Sequence, residues 1–111
     1  MEIWHNPRCS KSRQALALLE GAGADVTIID YLKAAPTQKR LKEVAAMLGV
    51  APRAMMRRGE AVFKELGLAE ASDAALFRAM SQHPILIERP IVIAGERAVI
   101  GRPPENVEAL L

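Results

Sequence analysis

The sequence predicts an α/β fold: a βαβ unit at the front, a helical block in the middle and a ββα unit at the end. Three observations carry this. β-Branched and apolar runs sit near both ends, at Glu2-Ile3-Trp4-His5, Val26-Thr27-Ile28-Ile29 and Ile91-Val92-Ile93. Apolar residues between about 37 and 83 recur at spacings of three and four, the period of a helix face. Proline and glycine punctuate the joins.

In order, Glu2 to His5 is a short extended run ended by the turn signal Asn6-Pro7. A helix is expected from Ser10, with Ala15, Leu16, Leu19 and Ala22 on its apolar face and Gly21 and Gly23 stopping it. Val26 to Ile29 reads as a buried strand. Strand, helix and strand within about 30 residues predict a right-handed βαβ unit. Thr37 is a candidate cap for the next helix, whose stripe is Leu41, Val44, Ala45 and Leu48 and whose stop is Gly49. A short helix from Pro52 carries Ala54 and Met55, and Glu60 to Leu66 holds another turn or two. Ser72 caps a helix through Leu76, Phe77 and Met80 that ends near His83-Pro84. Ile91-Val92-Ile93 and Ala98-Val99-Ile100, joined by Ala94-Gly95-Glu96, form a hairpin. Pro104 suits the first turn of a C-terminal helix holding Val107, Leu110 and Leu111. A βαβ half joined to a ββα half is the thioredoxin-like architecture, here with an inserted helical block. One domain, 1–111, is expected, because a chain of this length buries a core without staples.

Composition narrows the function. Half the residues are hydrophobic and 25% charged, which fits a globular chain and not a disordered one. The 15 basic and 13 acidic side chains are mixed along the sequence and aromatics are only 4%, so a nucleic-acid surface is not expected. Arg53, Arg57 and Arg58 are too few and too local to argue otherwise. No run approaches the roughly 20 apolar residues of a membrane span, and the N-terminus lacks a signal-peptide pattern. A cytoplasmic chain is expected.

Cys9 is the only cysteine, which excludes an internal disulfide and a cysteine-built zinc site. In the thioredoxin-like architecture the reactive cysteine starts the first helix, the place Cys9 occupies. A lone cysteine is commonly a buried structural thiol, but the neighbours Pro7, Arg8, Ser10, Lys11, Ser12 and Arg13 make a polar turn. The thiolate is the reactive form, and an ordinary cysteine is only a few per cent ionised at neutral pH. Helix N-terminal N–H groups favour an anion by about 0.3–1 kcal/mol. That is too little alone, so cations are needed. Arg8 and Arg13 are the local candidates, with more distant arginines able to fold over the site. The same N–H groups could cradle an oxyanion. A Cys-x-x-Cys redox centre is disfavoured by Ser12, and a phosphatase Cys-x5-Arg loop by Ala15.

With Asn-Pro-x-Cys-x-x-Ser-Arg at 6–13, Glu88-Arg89-Pro90 before a strand and Gly101-Arg102-Pro103-Pro104 near the end, the chain resembles the glutaredoxin-linked arsenate reductase family, a thioredoxin-like group related to the Spx regulators. The likeness continues through Asp30-Tyr31-Leu32, Arg53-Ala54-Met55-Met56-Arg57, Glu65-Leu66-Gly67-Leu68-Ala69 and His83-Pro84-Ile85-Leu86. The resemblance implies that Cys9 attacks arsenate to give an arsenic adduct, and that Arg57, Arg89 and Arg102 bind the oxyanion and stabilise the thiolate. His5 matches a histidine upstream of the cysteine, and Ser12 a serine that assists it. Glutathione would be the reducing co-substrate and glutaredoxin the partner, with no bound cofactor or metal and a monomeric chain. The family's fold also implies a cis proline at Pro90. Two alternatives stand beside it: a glutathione-dependent thiol transferase, and an Spx-type protein that binds RNA polymerase. Ser12 removes the Cys-x-x-Cys switch that many of the latter carry.

Overall fold

In the computed structural model, which describes all residues from 1 to 111, four strands form one sheet in the order β2-β1-β3-β4. They are β1 (Glu2–Trp4), β2 (Thr27–Ile29), β3 (Ile91–Ala94) and β4 (Arg97–Ile100). β1 runs parallel to β2 and antiparallel to β3, and β3 pairs antiparallel with β4. This mixed order is the expected thioredoxin-like arrangement.

The chain divides into two units. One comprises Met1–Ala34 with Arg89–Leu111 and holds the sheet; the other, Ala35–Glu88, is helical. In the sheet unit, α1 (Ser10–Gly21) and a 3-10 helix (Pro104–Leu110) pack together with the sheet. Ile3 and Val92 are register partners, so their side chains leave the sheet on one face. They meet Ala15 and Leu19 from α1 and Val107 and Leu110 from the 3-10 helix in one buried cluster. α1 has no acidic residue in its first turn, no basic residue in its last, and no side-chain cap. Burying five large aliphatic side chains supplies on the order of 10 kcal/mol gross, against about 1 kcal/mol for a cap. Packing holds α1.

The helical unit contains α2 (Gln38–Leu48), α3 (Ala61–Glu65) and α4 (Asp73–Gln82), with 3-10 turns at Pro52–Met55, Leu68–Glu70 and Pro84–Leu86. Here the expected caps are present. Thr37 accepts the Arg40 N–H at 3.1 Å and Ser72 accepts the Ala75 N–H at 3.2 Å. Gly49 ends α2 at φ 70, in the left-handed region that a side chain rarely adopts. Leu41, Val44, Met55, Leu76, Met80 and Leu86 are completely buried.

Two expectations need correction. Val26 to Ile29 reads as a buried strand, but β2 is a sheet edge and Ile28 is 51% exposed. A β-branched run encodes extended backbone; its place in the sheet depends on partners distant in sequence. Leu111, expected in the C-terminal helix, lies beyond the 3-10 helix and is exposed, whereas Val107 and Leu110 are buried as expected.

Candidate active site

Cys9 is the N-cap of α1, with φ −93 and ψ 122, and its side chain makes no capping hydrogen bond. The helix begins with Arg13 N donating to Cys9 O at 3.0 Å. The N–H groups of Ser10, Lys11 and Ser12 therefore have no acceptor within α1, as at any helix start. The turn before it is tightly tied. Cys9 N donates to Asn6 O at 3.0 Å, and Arg8 N donates to Asn6 Oδ1 at 3.0 Å. Asn6 N donates to Ser12 Oγ at 3.0 Å, which also shares a 2.6 Å hydrogen bond with His5 Nδ1. His5 and Ser12 are both buried. Together they brace the turn that presents the sulfur.

Pro7, Arg8 and Ser10 are exposed, but Cys9 itself is only 9% exposed. The turn is polar as its sequence suggests, and its thiol is nevertheless sheltered. The cation near it is not a local one. Arg13 Nη1 donates to the Pro7 carbonyl at 2.9 Å. Arg102 instead places Nη1 4.0 Å from Cys9 Sγ and 3.3 Å from the Arg89 carbonyl oxygen. At 4.0 Å this is a charge–sulfur contact and not a strong hydrogen bond. Two unit charges at that range interact by about 1 kcal/mol in water and about 4 kcal/mol at a protein surface. Arg102 is exposed, so the lower end applies. Even so, it matches what the helix N-terminus offers an anion. Arg89 precedes Pro90 through a cis peptide bond, as expected, and the Arg102-Pro103 bond is also cis.

The front turn, the Arg89-Pro90 segment and Gly101-Arg102 are thus held in one unit. The ArsC family pattern matches residues 4–110. The chain belongs to the ArsC family. It is 48% identical to an arsenate reductase of Neisseria meningitidis, over 100% of this chain and 97% of that protein. It is 41% identical to an arsenate reductase of Escherichia coli, over 98% of this chain and 79% of that one. A solved arsenate reductase structure from Vibrio cholerae is 50% identical and superimposes with a TM-score of 0.95, covering 100% of this chain and 98% of that one.

Of the residues that the ArsC resemblance singles out, Cys9, His5, Ser12, Arg89 and Arg102 lie in the sheet unit. Arg57 lies in the helical unit, where its N–H donates to Leu86 O at 2.7 Å and its Nη1 pairs with Glu60 Oε1 at 2.6 Å. Arg53, from the same motif, directs Nη2 to the carbonyls of Leu68 and Ala71 at 3.3 and 3.0 Å. It ties its own unit together. Sequence reasoning read Asn6 with Pro7 as a turn signal but not as the residue that organises the turn with its N–H, its carbonyl and its side chain. The signal was present, because asparagine before proline favours a side-chain-to-backbone turn. It also passed over Arg13 as a clamp on Pro7.

Burial pushes the His5 imidazole below its ordinary value of 6.5; Asp30 opposes this, Arg13 reinforces it and Glu20 opposes it. His5 is accordingly neutral at physiological pH. In the unfolded chain it takes up a proton near 6.5, and in the folded chain only at lower pH. The unfolded state thus binds more protons between these two values, so stability rises with pH there and falls as pH is lowered. His5 is expected to contribute its full share above 6.5 and to lose it as pH drops toward the lowered value. Melting temperatures from about pH 8 to about pH 5 should fall more steeply for wild type than for His5→Gln. Parallel curves would contradict this.

Proposed function

We propose that the chain is an arsenate reductase of the glutathione/glutaredoxin type, acting as a single cytoplasmic domain and as a monomer. The observation that carries the reading is the Arg102 guanidinium 4.0 Å from Cys9 Sγ, with that sulfur at the N-cap of α1. A cation and a helix N-terminus converge on one sulfur, and the same donors suit a tetrahedral oxyanion. Family membership and the named relatives support arsenate as that oxyanion. No helix is long and apolar enough to cross a membrane.

In this mechanism the Cys9 thiolate attacks As(V), forming a sulfur–arsenic bond while one arsenate oxygen leaves as water after protonation. Arg57, Arg89 and Arg102 bind the remaining oxygens; planar guanidinium forks suit them better than ammonium groups. Reduction to As(III) takes two electrons, which two thiols give by ending as one disulfide. Cys9 is the only cysteine, so the second sulfur comes from another molecule. Glutathione supplies it, and glutaredoxin returns Cys9 to the thiol. His5 and Ser12 position the turn and do not touch the arsenic.

The test follows NADPH oxidation with glutathione, glutaredoxin and glutathione reductase present. Oxidation is expected to depend on arsenate and to stop when glutathione or glutaredoxin is withheld. Turnover of a glutathionylated peptide without any turnover of arsenate would replace this reading with a thiol transferase.

A further inference from the structure

Arg57, the proposed oxyanion ligand in the helical unit, already holds a carboxylate. Arg57 Nη1 lies 2.6 Å from Glu60 Oε1, and the two side chains are only 27% and 23% exposed. Backbone bonds fix both ends: Arg57 N donates to Leu86 O at 2.7 Å, and Glu60 N donates to Arg57 O at 3.2 Å. Glu60 is the N-cap residue of α3, yet its carboxylate makes no capping bond there. The carboxylate is turned to the guanidinium instead. A carboxylate and an oxyanion compete for the same planar N–H donors.

We propose that Glu60 is a specificity-determining residue, a displaceable carboxylate that occupies Arg57 until an oxyanion of higher charge replaces it. This rests on the proposed role of Arg57 in binding arsenate. On entry of the oxyanion, the Arg57 N–H bonds pass from the carboxylate to an arsenate oxygen, and Glu60 turns to water. No covalent bond changes. A doubly charged oxyanion pulls harder on the guanidinium than a singly charged one. Chloride and other singly charged anions therefore displace Glu60 poorly, and the residue sets a threshold that favours dianions. Its cost is a weaker affinity for arsenate itself.

Glu60→Gln removes the charge and keeps the shape. Its KM for arsenate is expected to fall by roughly 2–5-fold, the scale of one partly exposed ion pair, with kcat within about twofold. Chloride should inhibit the variant more strongly than it inhibits wild type. Calorimetry with inorganic arsenate on wild type, Glu60→Gln, Arg57→Gln and the double variant separates this from the function itself. The affinity gained by Glu60→Gln should vanish when Arg57 is also replaced. An unchanged affinity would overturn the proposal by making the pair a surface contact. A weakened affinity would overturn it by making Glu60 a support for Arg57. If arsenate binds as described but is never turned over, the reductase reading fails and the Glu60 inference stands. If arsenate binds none of the proteins, both fail.

Discussion

With serine in place of Cys9, arsenate-dependent NADPH oxidation is expected to fall at least about 10³-fold, to the level of the assay without protein. The reason lies in electrons as much as in nucleophilicity. A serine hydroxyl stays protonated at neutral pH without a base beside it. The nearby histidine, His5, shares its Nδ1 hydrogen bond with Ser12 Oγ at 2.6 Å. Even a reactive alkoxide would form an arsenic–oxygen bond, and oxygen cannot give up the electrons that a thiol surrenders on becoming a disulfide. Stability should move the other way. Cys9 occupies the N-cap of α1 in extended conformation without a side-chain cap bond. Serine is among the strongly preferred residues there, and caps of this kind contribute roughly 0.5–2 kcal/mol. Denaturant melts are therefore expected to show Cys9→Ser as stable as wild type or about 1 kcal/mol more so. Residual turnover above background would sink the assignment of Cys9 as the nucleophile. Lost turnover with a collapsed fold would remove its support.

What was legible in the sequence follows the range of the interactions. The caps Thr37 and Ser72 and the stop at Gly49 could be read because a cap is settled within about four residues. The start of α1 at Ser10 was legible from the turn before it, but Ala22, expected on its apolar face, is exposed just past its end at Gly21. The place of β2 at the sheet edge was not legible, because Val26 to Ile29 says nothing of which strands lie beside it. The choice of cation was open for the same reason, with local and more distant arginines both candidates. Arg8 and Arg13 are neighbours of Cys9 in sequence, but the guanidinium at its sulfur is that of Arg102, brought there by β4 and the turn after it. Only the family likeness pointed to Arg102, since no local pattern links residues 9 and 102. Glu60 was equally silent, a common surface residue until the fold sets its carboxylate against Arg57.

Gly101→Ala is expected to destabilise the protein by about 1–3 kcal/mol, the usual cost of overpacking a filled core. Gly101 has no left-handed backbone to explain it; it is there because nothing larger fits. A Cβ at this position would lie 2.8 Å from Pro90 Cγ, 3.1 Å from Val107 Cγ1 and 3.4 Å from Ala15 Cβ. Pro90 Cγ is part of a ring and cannot rotate aside, while Val107 and Ala15 are completely buried. The backbone must therefore move. Gly101 N donates to Pro90 O at 2.9 Å, and the next residue is Arg102, which reaches both Cys9 Sγ and the Arg89 carbonyl. Separating Gly101 from Pro90 shifts the segments that carry Arg89 and Arg102 together, so kcat/KM should fall as well. Gly49→Ala is the comparison. It strains a left-handed helix end at φ 70 in the helical unit and is expected to cost about 1–2 kcal/mol. Thermal melts should show both variants losing several degrees, roughly 4 °C per kcal/mol for a chain of this size. Assayed well below those melting points, Gly49→Ala should keep its kcat/KM and Gly101→Ala should lose about tenfold, the cost of a misplaced binding group. Equal losses in the two would mean that the close approach at Gly101 serves packing alone and leaves the arginines where they are.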